Sequence, residues 1–83
     1  MTQNHPPGDY ATRTRIRVRM ALAKHEVSAA EVARRAGWKQ SYIARRLTRT
    51  DPVPFTVTDI EAIADALGIP VADLVTERTE VAA

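Results

Sequence analysis

Three polar side chains between positions 40 and 45 have types and a spacing suited to hydrogen bonding against one flat surface. Ser41 and Arg45 are four residues apart, so they lie one above the other if the segment is helical, with Gln40 beside them. Arginine presents parallel donors in one plane, and glutamine presents a donor next to an acceptor. Such side chains pair with planar edges and charged oxygens, and they do not form a nucleophile with its base. The chemistry indicated is recognition rather than catalysis.

An apolar stripe in the same segment keeps these polar side chains facing outward. Ile43 and Leu47 are four residues apart in a predicted helix over residues 39–48, and they point away from the polar face. Ala44 lies beside the polar side chains. A helix that is buried on one side and carries Gln, Ser and Arg on the other has what it needs to lie in a DNA major groove.

A second short helix is predicted immediately before it. Ser28 and Glu31 have the spacing of a capping box, in which each side chain satisfies a backbone donor at the helix start. Apolar residues then recur at helical spacing until Gly37, which comes where a chain leaving a helix needs a positive φ. Residues 28–49 therefore predict two helices joined by a tight turn.

The charges of the chain are segregated along its length. Residues 11–50 contain eleven basic and two acidic residues, a net charge of +9, whereas residues 51–83 contain one basic and seven acidic residues, a net charge of −6. A positive half that coincides with the two-helix unit is typical of a polyanion-binding face. The alternative interpretation is two ordinary solvated faces.

Composition excludes several other classes of function. A chain of 83 residues without cysteine forms one small domain with no disulfide and no thiolate metal site. His5 and His25 are far apart in sequence and have no ligand cluster around them, so no metal or other cofactor is expected. We find no Gly-rich phosphate loop and no nucleophile–base pair, so we do not expect an enzyme. Without a membrane-spanning run or signal peptide, a soluble cytoplasmic protein of a bacterium or a phage-infected host is expected.

The segment before the two-helix unit has two competing periodicities. Residues 1–10 predict a disordered arm. Residues 12–20 alternate with period two, as a strand would, yet Ile16, Met20 and Ala23 also form a helical stripe. A lone strand would have no partner, so we predict a helix with that stripe facing inward.

The segment after the unit predicts two further helices. Two prolines within residues 50–54 indicate a loop, after which Phe55 and Val57 are expected to pack on the core. Thr58 and Glu61 have capping-box spacing and predict the start of a helix that stops at Gly68.

The last predicted helix is short, with Pro70 in its first turn and Val71, Leu74 and Val75 within it. The fold class predicted is all-α, a compact bundle of five short helices with a central helix-turn-helix. It occupies residues 11–76, and residues 77–83 are expected to form a flexible tail.

The two-helix unit resembles a known family. Ala33, Gly37 and Ile43 occupy the alanine, turn-glycine and aliphatic positions of the helix-turn-helix motif. Residues 11–75 resemble the lambda-repressor-like family of phage repressors, Cro proteins and related bacterial regulators. Residues 55–75 look like the fourth and fifth helices of that family. The resemblance implies that the helix at 39–48 enters the major groove while the preceding helix crosses the DNA backbone.

This resemblance and the facing of each side chain give the predicted contacts. The predicted base contacts are Gln40, Ser41, Ala44 and Arg45. The predicted phosphate contacts are Ser28, Arg13, Arg17, Lys39, Tyr42, Arg46, Arg49 and Thr50. Several alternatives are open. Ser41 is as suited to phosphate as to a base, and of the first-helix arginines either the pair 13/17 or the pair 15/19 could face DNA, since the two pairs point different ways.

Two positions depart from the pattern of the family. Ala29 stands where a phosphate-contacting glutamine is common, so Ser28 or the backbone amides beside it would make that contact. Arg46 stands where an aliphatic residue is usual, and Leu47 is expected to fill that pocket. Tyr42 and Arg46 are equally suited to reaching phosphate and to packing against each other. For Trp38, packing in the core is favoured over stacking on a base.

The sequence therefore predicts a sequence-specific double-stranded DNA-binding transcriptional regulator, similar to a phage or bacterial Cro or repressor protein, that occupies operator DNA. A homodimer through the C-terminal helix, using Val71, Leu74 or Val75, is a further expectation, and no membrane partner is expected. The alternative function is a protein-interaction module, such as an antitoxin or adaptor whose acidic C-terminal helices grip a partner.

Overall fold

The computed structural model describes residues 9–75 of the chain, and all the regular secondary structure within this range is α-helix. The five helices are α1 (Asp9–His25), α2 (Ala29–Ala36), α3 (Gln40–Leu47), α4 (Val57–Leu67) and α5 (Ala72–Val75). Helix α2 packs against α3 and α4, while α1 packs against α3 and α5. The predicted all-α class with five helices is confirmed. Most of the predicted arm and the predicted tail lie outside the described range, and Asp9 and Tyr10 of the arm segment belong to α1.

Helix α1 forms as predicted, but the inward stripe predicted for it is wrong. Val18 is fully buried and Leu22 nearly so, with Thr14 one turn before them, whereas Ile16 is 43% exposed and Met20 is 64% exposed. Both stripes have helical spacing and lie on opposite faces of the helix. The contacts with α3 and α5 select the stripe at 14, 18 and 22, and this choice depends on partners distant in sequence.

A matched pair of substitutions tests this facing of α1. Val18→Ala removes methyl groups from a fully buried site and is expected to lower the free energy of unfolding by about 2 kcal/mol. Ile16→Ala removes more carbon but from a half-exposed site, so its expected cost is below about 1 kcal/mol. Urea unfolding of both variants measures the difference. A larger cost for Ile16→Ala would show that the predicted stripe, not the observed one, faces the core.

Only half of the capping box predicted at the start of α2 is present. The Ser28 hydroxyl accepts a hydrogen bond from the Glu31 amide at 3.0 Å. The Glu31 carboxylate instead accepts hydrogen bonds from the Arg34 and Arg35 side chains. These hydrogen bonds lower the pKa of Glu31 to about 2. The Glu31 side chain therefore pairs with arginines on the outer face of α2, and Ser28 is the only side chain that caps the start of the helix.

The predicted turn between α2 and α3 is confirmed. Gly37 has a φ of +78°, a conformation that costs an L-residue roughly 1–2 kcal/mol. The Trp38 amide donates to the Ala33 carbonyl at 2.8 Å, and the Gly37 amide donates to the Arg34 carbonyl at 3.3 Å. This is the Schellman arrangement that closes a helix on a left-handed residue. It turns the chain within two residues and brings α3 against α2.

Helix α4 begins two residues earlier than predicted. The capping box is formed by Thr56 and Asp59, each side chain bonding the amide of the other, and not by Thr58 and Glu61. As a result Val57 is the first residue of the helix and is 76% exposed, so its predicted packing on the core is wrong. Thr56 rather than Thr58 caps the helix because its partner Asp59 is buried against α3, whereas Glu61 is exposed.

The core contains buried residues from all five helices. They are Val18, Leu22, Val32, Ala33, Ile43, Leu47, Ile60, Ile63, Ala64 and Leu74. Leu74 is fully buried in this core, so its side chain is not available on the surface for the dimer contact suggested for it. Val71, the first residue suggested for that contact, is 40% exposed. No helix within residues 9–75 is long and apolar enough to cross a membrane.

Candidate nucleic-acid interface

The outer face of α3 carries the four residues predicted to contact bases. Gln40, Ser41, Ala44 and Arg45 are all exposed. On the opposite face Ile43 and Leu47 are buried in the core, so the predicted orientation of the helix is confirmed. Contact of the four side chains with DNA stays a prediction.

The C-terminal end of α3 is held by partners from two other parts of the chain. The Arg19 side chain in α1 donates to the Leu47 carbonyl at 2.9 Å. The Val53 amide in the following loop donates to the Arg45 carbonyl at 3.1 Å. These bonds satisfy carbonyls that the helix itself cannot pair, and a cation at a helix C-terminus is favourable. The backbone beneath Arg45 is thereby fixed.

A polar cluster joins the flank of α3 to the start of α4. The Tyr42 hydroxyl donates to one carboxylate oxygen of Asp59 at 2.5 Å, and the Arg46 Nε lies 3.3 Å from the other. The Arg46 Nη1 donates to the Tyr42 carbonyl at 2.8 Å, and its guanidinium carbon lies 3.7 Å from the centre of the Tyr42 ring. Of the two alternatives for Tyr42 and Arg46, the structure contains the mutual packing. Phosphate contact by either stays a prediction.

Proton affinities in this cluster follow from its contacts. Burial raises the pKa of the Asp59 carboxyl, but hydrogen bonds from the Thr56 amide and the Tyr42 hydroxyl outweigh it and hold that pKa below its ordinary value. The hydrogen bond to Asp59 raises the pKa of Tyr42, and burial adds to the effect. Asp59 is therefore a carboxylate and Tyr42 a phenol at neutral pH, which is the pairing that the hydrogen bond requires.

Acid should weaken the fold through Asp59. Its carboxyl has an ordinary pKa of 3.8, and the folded-state pKa is lower, so the carboxylate contributes to the free energy of unfolding above pH 3.8. That contribution is lost as the pH falls through the folded-state pKa. In Asp59→Asn the fall in stability between pH 6 and pH 3 is therefore expected to be shallower. Urea midpoints at the two pH values measure this fall in stability, and the exposed Asp65→Asn is the control. Equal falls in Asp59→Asn and in the wild-type chain would contradict the role given to Asp59.

The surface around α3 is positively charged. Lys39 precedes the helix, Arg49 and Thr50 follow it, and all three are exposed. No acidic residue occurs from position 32 to position 50. Ser28 is also exposed, although its hydroxyl already accepts one hydrogen bond from the backbone of α2. These four residues predicted to contact phosphate lie at helix ends and loops, where backbone and side-chain donors are accessible to a ligand.

The arginines of α1 divide between two sides of the helix. Arg17 lines a groove with residues of the α5 region, and Arg13 is one turn from it on the same side. Arg15 and Arg19 line a shallow cleft together with Arg49, next to the end of α3. The pair adjoining α3 is therefore Arg15 and Arg19, whereas the predicted phosphate contacts are Arg13 and Arg17. Contact of either pair with DNA stays a prediction. Spacing along the helix separates the two pairs but carries no signal for which pair adjoins α3.

Trp38 packs within the domain. Its ring centre lies 4.8 Å from that of Tyr42, with the two planes tilted by 39°, and the side chain packs against the core. The packing interpretation of Trp38 agrees with this arrangement.

The outer surface of α3 can form hydrogen bonds and ion pairs. Among residues 9–75 there is no group of three or more His, Asp or Glu side chains that could hold a metal ion. The available chemistry is that of amide, hydroxyl and guanidinium groups on a convex helix, positioned by a packed scaffold. Such groups recognise phosphates and base edges through hydrogen bonds and ion pairs, without covalent chemistry.

Comparison with known proteins agrees with this geometry. No curated protein and no solved structure has significant similarity to the chain. A family model described as "Helix-turn-helix domain" matches residues 11–76, a range that begins in α1 and extends just past α5. The match includes the α2–turn–α3 unit together with the helices that support it. The chain belongs to the helix-turn-helix domain family, a family of DNA-binding domains.

Proposed function

We propose that the protein is a sequence-specific double-stranded DNA-binding transcriptional regulator that inserts α3 into the major groove of an operator. The observation that carries the proposal is the outer face of α3. It presents glutamine, serine, alanine and arginine side chains in a stretch without acids, on a helix anchored by Ile43 and Leu47. A helix of this kind has the dimensions and donors that the major groove accepts.

Each outward side chain suits a particular base edge. Arg45 matches the paired acceptors of guanine, and Gln40 matches the acceptor and donor of adenine. Ala44 is small enough to allow close approach and can contact a thymine methyl group. Ser41, in the first turn of the helix, suits either a base edge or a phosphate. Specificity would come from these contacts, and most of the affinity from released counterions.

Phosphate contacts would flank the recognition helix on both sides. Lys39, Arg49 and Thr50 are exposed at its ends, and Ser28 lies at the start of α2. Of the α1 arginines, the cleft shared with Arg49 favours the pair Arg15 and Arg19. Arg13 and Arg17 would contact phosphate only if the DNA backbone also passes along the side of α1 that adjoins α5.

We further propose that the protein, in a bacterium or a phage-infected host, acts by occupying its operator and excluding other proteins, as a Cro protein or repressor does. If the protein dimerises, two copies of α3 would enter successive major grooves roughly one helical turn apart, about 34 Å, on a pseudo-palindromic site. The exposed Val71 beside α5 suits such an interface better than the buried Leu74.

A salt titration of binding to random duplex DNA tests the proposal. If about five basic side chains neutralise phosphates, affinity should fall a few hundredfold or more between 50 and 200 mM salt. Fluorescence anisotropy of a labelled duplex measures the slope of log K against log salt. Weak binding at every salt concentration would contradict DNA binding and favour a protein-interaction module.

A further inference from the structure

We propose that Tyr42 and Arg46 are positioning residues, which fix the rotation of α3 through Asp59 and so determine which bases the helix reads. The proposal rests on the proposed function, since it concerns how the same helix is aimed. It assigns to these two residues a role other than phosphate contact, and it accounts for an arginine at a position where an aliphatic side chain is usual.

The charge of Arg46 is directed into the protein. Its side chain is only 14% exposed, and the guanidinium lies over the ring of Tyr42. One nitrogen bonds the Tyr42 carbonyl, and Nε faces Asp59. A largely buried guanidinium that has one face covered by an aromatic ring and a carboxylate as its ion-pair partner is poorly placed to reach a phosphate.

Asp59 is a fixed point for these contacts. Its side chain is 4% exposed, and it accepts hydrogen bonds from the Tyr42 hydroxyl and from the Thr56 amide. Because the same carboxylate closes the capping box of α4, it cannot move without disturbing the start of that helix. Two side chains of α3 are thus attached to one immobile group on α4.

The attachment of Tyr42 and Arg46 to Asp59 restrains the rotation of α3 about its own axis, which the apolar stripe leaves unrestrained. Ile43 and Leu47 hold α3 against the core along a single line, and the hydrogen bonds to the Arg45 and Leu47 carbonyls hold only its C-terminal end. Neither set of contacts restrains the flank of the helix that carries Tyr42. Tyr42 is about 100° around the helix from Ile43, so bonding it to α4 prevents that rotation. A roll of about 20° would move side-chain atoms 5–6 Å from the axis by about 2 Å, more than a hydrogen bond tolerates.

Charge-conserving and shape-conserving variants separate positioning from phosphate contact. In Arg46→Lys the charge is kept but the planar, stacked group is lost, and in Tyr42→Phe only the hydroxyl is lost. We expect both variants to lower the ratio of affinities for the selected and random duplexes about tenfold, with the salt slope unchanged. Arg34→Lys on the outside of α2 and Tyr10→Phe on α1, both exposed, are the matched controls and should keep the wild-type ratio.

Replacing an arginine by an uncharged residue tests whether that arginine contacts a phosphate. Arg46→Met should leave the salt slope on random duplex as it is, whereas Arg49→Met should reduce it by about 0.9, the contribution of one phosphate contact. A slope reduced by about 0.9 in Arg46→Met, or a wild-type affinity ratio in Arg46→Lys and Tyr42→Phe, would overturn the positioning role.

A readout without DNA distinguishes failure of this inference from failure of the proposed function. In the free protein, amide chemical shifts of residues 56–60 at the start of α4 should change in Arg46→Lys and Tyr42→Phe, and not in Arg34→Lys or Tyr10→Phe. If the wild-type chain binds no DNA yet these shifts occur, the proposed function fails while the attachment of α3 through Asp59 stands. Unchanged shifts in residues 56–60 would overturn the attachment whether or not DNA binds.

Discussion

Arg45→Ala is expected to lower affinity for the selected operator by about 1–3 kcal/mol and to relax base preference at one base pair. Arg45 is exposed on the face of α3 opposite Ile43, and its own carbonyl is held by the Val53 amide, so its side chain extends from a fixed backbone. Only this long side chain on the outer face of α3 can present paired donors to a guanine. Anisotropy titrations against the operator and its single-base variants measure both effects.

Arg45→Lys is the matched control for this prediction. Lysine keeps the charge but loses the planar pair of donors, so a guanine contact should still be weakened, whereas a phosphate contact should survive. Equal loss of affinity on every sequence in Arg45→Ala, together with recovery in Arg45→Lys, would show that Arg45 contacts the backbone and does not specify a base.

Asp59→Ala should give the largest loss of stability among the polar substitutions, about 3 kcal/mol or more. The substitution removes one member of the capping box of α4, leaves the Tyr42 hydroxyl without its acceptor, and leaves the largely buried charge of Arg46 without its counterion. The free energy of unfolding from urea denaturation measures the loss.

The loss should be markedly non-additive with a substitution of Arg46. Arg46→Met supplies the aliphatic side chain that the family usually has at this position and removes the charge that Asp59 balances. The double variant Asp59→Ala/Arg46→Met should therefore be more stable than the sum of the two single effects indicates, because no unpaired charge is left in the interior. Additive effects within about 0.5 kcal/mol would contradict the coupling between α3 and α4.

The helix-turn-helix unit was predictable because its signals are local. The serine that caps α2, the glycine that ends it and the apolar pair on α3 all act within twenty-two consecutive residues. Each one was confirmed: Ser28 caps, Gly37 has positive φ, and Ile43 and Leu47 are buried. The outward face of α3 followed directly, since burial of one side of a helix fixes what the other side presents.

The features that could not be predicted depend on partners distant in sequence. The stripes of α1 containing Val18 and Ile16 both have helical spacing, and only packing on α3 and α5 distinguishes them. Which of the 13/17 and 15/19 arginine pairs adjoins α3 depends on the same distant packing, and DNA contact by either pair stays a prediction. The capping box of α4 was misplaced because Asp59 is fixed by Tyr42, seventeen residues away, and no local pattern indicates that contact.

Selection of bound duplexes from a random DNA pool tests the central claim most directly, because it asks whether the outer face of α3 reads sequence. The account predicts that the wild-type chain enriches a short common motif containing guanine, and that Arg45→Ala enriches the same motif with one position relaxed. Enrichment of no common motif, or an identical motif from both proteins, would contradict sequence reading by α3.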